Sequence, residues 1–225
     1  MIIDHNHYKY RQKRRAAGRN KHNGAFYYSK EIVKNIIPNV KTDRNWITVN
    51  VPGIGCDHAI VFIHNNLHPE NYEWLHDYGY KDLILVCGIP ETVDKVKHLG
   101  KAIYLPLSID VENVKQFAVE EKTKGTAFVG RPAKRKNVEL PDGIDYLEDL
   151  PRQTMLEELA KYKTVYAVGR CAIEAKALGC KLKAYDPRFP KTSRWKVLDN
   201  RDAAKKLQKM LDEIDGQSNV EKKNS

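Results

Sequence analysis

Short apolar runs alternate along this chain with segments in which apolar residues recur at helical spacing. The apolar runs are WITVNV, HAIVFI, DLILVCG and AIYLPL in the first half, and TAFVG, TVYAV and KLKAYD in the second, which also has a weak strand pattern near GIDYLED. Helical spacing is found between them, for example in ETVDKVKHLG and RQTMLEELAKY. This alternation is typical of parallel sheets covered by helices, so the pattern predicts an α/β fold.

Capping residues predict where some of the helices begin and end. In YSKEIVKNIIP the hydroxyl of Ser29 precedes apolar residues at helical spacing, so we expect a helix that begins near Ser29 and stops at Pro38. In GRCAIEAKALGC the helix is expected to close at Gly179, because glycine readily takes the left-handed conformation that ends a helix.

The alternation is interrupted by a polar, acidic segment at residues 108–124, which we interpret as a connection between two lobes. The prediction is therefore two small Rossmann-like lobes with parallel sheets and a cleft between them, at residues 23–107 and 125–215. Residues 1–22 are interpreted as a basic arm, and residues 216–225 as a disordered tail. With 225 residues, of which 41% are hydrophobic, the chain can bury a core.

Charge is concentrated in the arm, which carries seven Lys and Arg residues against one acid, in a chain of net charge +10. A basic arm interleaved with tyrosines could bind the phosphates of a nucleic acid and release their counterions. The alternative is a solvated helix face or a flexible tail that keeps the protein in solution. The candidate nucleic-acid contacts are Arg11, Lys13, Arg14, Arg15 and Arg19.

Other classes of protein are disfavoured by what the sequence lacks. No apolar run is long enough to span a membrane, and the first residues have no apolar stretch of the secretory kind, so we expect a soluble cytoplasmic protein. The four cysteines form no CxxC pair, which favours free thiols over disulfides and predicts no metal site.

Two glycine-containing loops follow predicted strands of the second half. Gly130 opens the basic loop GRPAKRKN, and Gly169 precedes the helix that begins with Arg170. Ligands of open parallel sheets bind beyond the carboxyl ends of the strands, and the unpaired N–H groups of a helix N-terminus favour a phosphate. Glu174, one turn into the helix, either steadies the helix dipole or accepts hydrogen bonds from a sugar-like diol.

The segment from FVGRPAKRKN to EAKALGCKLKAYD resembles the C-terminal half of GT-B glycosyltransferases. The resemblance implies that Arg131 and Lys134 bind the diphosphate of a nucleotide sugar and that Glu174 holds its ribose. The family usually has a second acidic residue in an E-x7-E arrangement with this glutamate, and this chain has no acid at that position. The full set of donor-binding residues that we predict is Gly130, Arg131, Lys134, Gly169, Arg170, Cys171 and Glu174.

The resemblance implies an enzyme that moves a sugar from a nucleotide diphosphate sugar to an acceptor hydroxyl, without a metal or a covalently bound cofactor. The acceptor could be a modified base in DNA or another polyanion. Asn23 and Gly24 are predicted on the acceptor side, and His64 is the candidate catalytic residue, although a histidine at a strand end can equally be a structural polar residue. The alternative function is a non-catalytic protein of the same fold that binds nucleic acid or senses nucleotides.

Overall fold

The computed structural model describes residues 3–4, 24–48, 57–63, 73, 75, 79–130, 140–148, 150–187, 189 and 191–221. Its strands are β1 (Ile3–Asp4), β2 (Asn45–Thr48), β3 (His58–Ile63), β4 (Asp82–Cys87), β5 (Lys101–Tyr104), β6 (Lys124–Gly130), β7 (Asp145–Glu148), β8 (Tyr162–Tyr166) and β9 (Lys181–Lys183). Its α-helices are α1 (Gly24–Glu31), α2 (Pro90–Val96), α3 (Val111–Lys115), α4 (Arg152–Leu159), α5 (Arg170–Ala177) and α6 (Asn200–Glu221). The predicted α/β class with two Rossmann-like parallel sheets is confirmed.

The described residues form two compact units. The first contains β1 to β5 and also α6, which returns from the end of the chain, and the second contains residues 107–199. The sequence predicts the α6 segment in the second lobe and a disordered tail from residue 216, whereas α6 belongs to the first unit and extends to Glu221. Within the described residues, no helix is long and apolar enough to cross a membrane.

The sheet of the first unit has the strand order β1-β2-β3-β4-β5, and every neighbouring pair is parallel. The central strands β3 and β4 are continuous apolar runs, because side chains on both of their faces are buried. Trp46 on β2 stacks on Phe62 of β3 with ring centroids 5.9 Å apart. Residues Ile3–Asp4, part of the segment interpreted as a basic arm, form the edge strand of this sheet.

The first helical segment begins earlier than predicted. Helix α1 starts at Gly24, so Ser29 is a fully buried residue inside the helix rather than its cap. The half-buried Tyr27 and Tyr28 show why the prediction was wrong: tertiary packing supports a helical turn before the aliphatic residues. A π-helical turn (Ile32–Ile36) and a 3-10 turn (Ile37–Asn39) follow, and Pro38 lies in the first turn of the latter, where its missing N–H is not needed.

The sheet of the second unit has the order β7-β6-β8-β9, again with parallel pairs throughout. Phe128 on the central strand β6 is buried against Tyr185, with ring centroids 5.0 Å apart. The segment interpreted as a connection belongs to this unit: it contains α3, its residue Val114 is fully buried, and Ile109 forms a β-bridge with Asp199.

Candidate anion-binding site

The chain path of the second sheet diverges at β6. From β6 the chain first forms β7 on one side, and it then returns to form β8 on the other side. In open parallel sheets such a reversal leaves a crevice at the carboxyl ends of the two strands, and ligands bind there. The register pairs Phe128 with Tyr166, so the ends of β6 and β8 lie at the same edge of the sheet.

Gly169 shapes the entry to helix α5 at this edge. Its backbone has φ 63° and ψ −136°, a conformation that residues with a side chain essentially do not adopt. Among the described residues, nothing beyond its immediate chain neighbours lies within 4 Å of the place a Cβ would occupy, so the backbone conformation rather than lack of space requires the glycine. Arg170 is therefore the first residue of α5, and the carbonyl oxygen of Gly169 accepts hydrogen bonds from the N–H groups of Ala172 and Ile173 in this turn.

Glu174 is a buried carboxylate that joins two helices. Its Oε1 accepts a hydrogen bond from Nε of Arg170, 2.7 Å away on the same helix, and one from Nη1 of Arg152, 2.6 Å away on α4. The Glu174 side chain is 1% exposed, so an unpaired charge here would be strongly destabilising. The two arginines therefore compensate the negative charge of this carboxylate inside the protein.

The second carboxylate oxygen of Glu174 has a different environment. This Oε2 is buried, and among the described residues it has no hydrogen-bond partner. A buried acceptor without a donor costs about 1–3 kcal/mol. A ligand that carries a hydroxyl or N–H group would remove that cost.

Lys122 stabilises the opposite ends of the same two helices. Its Nζ donates to the carbonyl oxygen of Ala160 at 2.8 Å, just after α4, and to that of Leu178 at 2.9 Å, just after α5. A cation is favourable at helix C-termini, where carbonyl groups lack partners. Gly179 then closes α5 with φ 76°, as the sequence predicted. Lys122 thus holds the C-terminal ends of α4 and α5 together while Glu174 links their N-terminal turns.

The structure brings several of the predicted site residues to one sheet edge. Gly130 ends β6, and Cys171 is the half-buried second residue of α5, beside Gly169, Arg170 and Glu174. Gly24 is the first residue of α1 rather than part of a loop before it. The remaining predictions lie outside the described residues: Arg131, Lys134, His64, Asn23, Arg11, Lys13, Arg14, Arg15 and Arg19.

Arg152 was missed in the sequence analysis. The available signal was its position, because Pro151 precedes it and Pro commonly lies near the start of a helix. A cation is unfavourable at a helix N-terminus, so an arginine there indicates a compensating anion. That anion, Glu174, is 22 residues away along the chain, and nothing in the sequence identifies it.

A shallow groove in the first unit is a separate feature. It is lined by residues of β5 and α6, both apolar (Ile103, Met210 and Ile214) and charged (Lys101, Lys206 and Glu213). Its described lining has neither a glycine-dependent helix entry nor paired arginines, so we place the candidate site in the second unit. The described residues contain no cluster of His, Cys, Asp and Glu that could hold a metal ion.

A scan of the chain against protein-family models gives no match, and neither do searches of curated proteins and of solved structures. The function of this protein is therefore inferred from the geometry of its second unit and from the motifs of its sequence.

Proposed function

We propose that this protein is a glycosyltransferase that binds a nucleotide diphosphate sugar in its second unit and transfers the sugar to an acceptor hydroxyl. The observation that carries the proposal is the buried Glu174 at the start of α5. One of its oxygens is shared by two arginines, and the other has no donor among the described residues. Such a site suits a ligand that has a phosphate next to a hydroxyl group, as a nucleotide has.

Each part of the site has a role in this proposal. The N-terminal turn of α5 and Arg170 bind the diphosphate, together with Arg131 and Lys134 from the loop after β6. Oε2 of Glu174 accepts a hydrogen bond from a ribose hydroxyl. As the bond to the sugar breaks, negative charge grows on the leaving diphosphate while the sugar becomes oxocarbenium-like. Fixed cations near that charge lower the barrier without a metal.

The test is a titration of the full-length protein with a panel of nucleotide diphosphate sugars, followed by measurement of nucleotide diphosphate release. Arg131→Ala and Lys134→Ala are each expected to lower turnover about a hundredfold, because each removes a contact that stabilises the leaving group. Arg194→Gln, on an exposed 3-10 turn of the same unit, is the control and should leave turnover unchanged. If both loop variants retained the parent rate, the donor-site assignment would be wrong.

A second function, nucleotide or nucleic-acid binding without catalysis, is favoured by the missing second acid. Seven residues separate Glu174 from Tyr166, the position that an E-x7-E arrangement assigns to that acid, and the centroid of the Tyr166 ring lies 5.4 Å from Nζ of Lys183. A site without that acid can still bind the phosphates and the ribose. Binding of nucleotides with no release of sugar in the panel above would support this second function over transfer.

The acceptor in our proposal is a hydroxyl group on a modified base in DNA, and the basic segment near the N-terminus provides the phosphate contacts. Deletion of residues 1–22 would also remove β1 from the first sheet, so substitutions that remove only the positive charges are the cleaner test. Replacement of Arg11, Lys13, Arg14, Arg15 and Arg19 by Gln should weaken DNA binding and flatten its dependence on salt, because fewer counterions are released. An unchanged salt slope in a gel-shift titration would exclude this role.

A further inference from the structure

Both helices that meet at Glu174 begin with an arginine. Arg152 is the first residue of α4, and Arg170 is the first residue of α5. Each guanidinium therefore lies at the positive end of a helix dipole, where a cation is destabilising. Two neighbouring arginines at helix N-termini are expected where a bound anion supplies the compensating negative charge.

The two guanidinium groups are close because they share one acceptor atom. Nη1 of Arg152 lies 2.6 Å from Oε1 of Glu174, and Nε of Arg170 lies 2.7 Å from the same oxygen. The side chains are 19% and 12% exposed, so both reach the protein surface. A guanidinium has five N–H donors in a planar fork, which allows it to contact a carboxylate and a phosphate at once.

An independent feature of the same site also indicates a ligand. Oε2 of Glu174 is buried and has no hydrogen-bond partner among the described residues, in a side chain that is 1% exposed. A donor group from a bound molecule would satisfy it. The start of α5 therefore combines a helix N-terminus, two cations and an unfilled acceptor.

We propose that Arg152 and Arg170 together bind a phosphate group at the carboxyl edge of the second sheet, and that Glu174 is the residue that positions both guanidinium groups. The inference deepens the proposed donor site and rests on it for the identity of the ligand, a nucleotide diphosphate. Arg152 thereby becomes a phosphate-binding residue contributed by α4, in addition to the loop cations that the sequence indicates.

The test uses inorganic pyrophosphate as the probe, because it has the charge of the diphosphate but neither ribose nor base. Isothermal titration of the full-length protein should detect binding, and Arg152→Gln should weaken it about tenfold to a hundredfold, the loss expected for a charge-assisted hydrogen bond. Arg194→Gln removes the same charge from an exposed position of the same unit and should change the affinity less than twofold.

The Glu174→Gln variant distinguishes two roles of the carboxylate: positioning the two guanidinium groups, and contributing negative charge to the site. The substitution removes a negative charge next to the bound anion, so a purely electrostatic role predicts tighter pyrophosphate binding. If the carboxylate positions the two guanidinium groups, the same substitution weakens binding about tenfold despite the gain in positive charge. Thermal unfolding of each variant confirms that it is folded, and Arg152→Gln tests the arginine pair independently if Glu174→Gln does not fold.

The outcomes distinguish this inference from the proposed function. Pyrophosphate binding that depends on Arg152, in a protein that processes no nucleotide sugar, would support the arginine pair and reject the transferase. Sugar transfer with pyrophosphate affinity unchanged in Arg152→Gln would support the transferase and overturn the pair. Absence of pyrophosphate binding in the parent protein would also overturn it, and tighter or unchanged binding in Glu174→Gln would overturn the positioning role.

Discussion

The two units each contain a cluster of arginine and carboxylate side chains around one buried charged group, but the clusters have opposite compositions. In the first unit one arginine, Arg44, contacts two carboxylates: Asp82 at 2.7 Å and Asp215 at 2.6 Å. In the second unit one carboxylate, Glu174, contacts two arginines. The first cluster therefore has an excess of negative charge among these contacts, and the second has an excess of positive charge.

The clusters also lie at opposite edges of their sheets. Arg44 directly precedes β2 and Asp82 begins β4, so the first cluster is at the amino ends of the strands, where Asp215 attaches α6. Glu174 links helices that follow β7 and β8, at the carboxyl ends. In parallel sheets ligands bind at the carboxyl ends, so we assign a structural role to the first cluster and a binding role to the second.

Strand order explains why the two units differ in this way. Among the described strands, the first sheet runs from β1 to β5 without a reversal, whereas the second reverses between β7 and β8 around β6. Only a reversal makes successive connections diverge and leaves a crevice at the strand ends. Similar alternation of apolar runs and helices in the sequence thus produces, among the described strands, a candidate crevice in the second unit and none in the first.

The largest expected effect concerns the structural cluster. Burial opposes the charge of Arg44, but its hydrogen bonds to Asp215 and Asp82 outweigh this and raise the pKa of the guanidinium, so it stays charged. Arg44→Leu should lower the free energy of unfolding of the first unit by about 2–3 kcal/mol, somewhat below the loss for a fully buried pair because the two aspartates are partly exposed. Urea denaturation with hydrogen exchange measured on β2 to β4 would test this.

Lys81→Met provides the matched control for that substitution. Lys81 pairs with Asp57 in the same unit, but the side chains are 71% and 57% exposed, so the loss should be below about 1 kcal/mol. Neither substitution should change pyrophosphate binding. A loss of affinity in Arg44→Leu as large as that in Arg152→Gln would contradict the separation of structural and binding clusters.

An intermediate effect is expected at the entry to α5. Gly169→Ala introduces a side chain at φ 63° and ψ −136°, which should cost about 1–3 kcal/mol of stability and weaken pyrophosphate binding about tenfold by displacing the first turn of the helix. Gly143→Ala is the control: φ is 72° there, in a turn before β7, and a loss of about 1 kcal/mol without an effect on binding is expected. Equal affinities in the two variants would show that the entry geometry is irrelevant to binding.

The last effect is absent at neutral pH and appears only at high pH, as a difference between buried thiols of the two units. Burial raises the pKa of Cys87 on β4 to about 12, whereas for Cys180 the effect of burial is partly opposed by Lys122. The folded first unit therefore retains a proton that the unfolded chain loses above about pH 9, so its stability should fall as pH rises from 9 towards 12. The slope from this thiol approaches about 1.4 kcal/mol per pH unit.

Comparison of the parent protein with Cys87→Ala isolates this contribution. Urea denaturation at several pH values between 9 and 11 should give a flatter pH dependence in the variant, although the variant is less stable overall because of the cavity it creates. Parallel slopes for the two proteins would show that Cys87 is not held protonated by the fold.

The strands and helices formed by consecutive residues were predicted well, because their structure depends on the local pattern of apolar residues and glycines. The run HAIVFI is the strand β3 over His58–Ile63, since a strand buried on both faces needs apolar side chains at every position. The helix that begins at Arg170 and closes at Gly179 was also predicted, since the glycine conformation that frames it is a property of those residues.

Contacts between distant residues were decided only by the tertiary structure. The sequence predicted parallel sheets, but the strand order, the place of α6 in the first unit and the pairing of Arg152 with Glu174 each depend on segments far apart along the chain. Ser29 shows the same limit on a smaller scale, because packing extended α1 beyond the point where a local capping rule would start it. Residue pattern determines which segments become strands and helices, whereas the burial of their faces against one another determines which side chains meet.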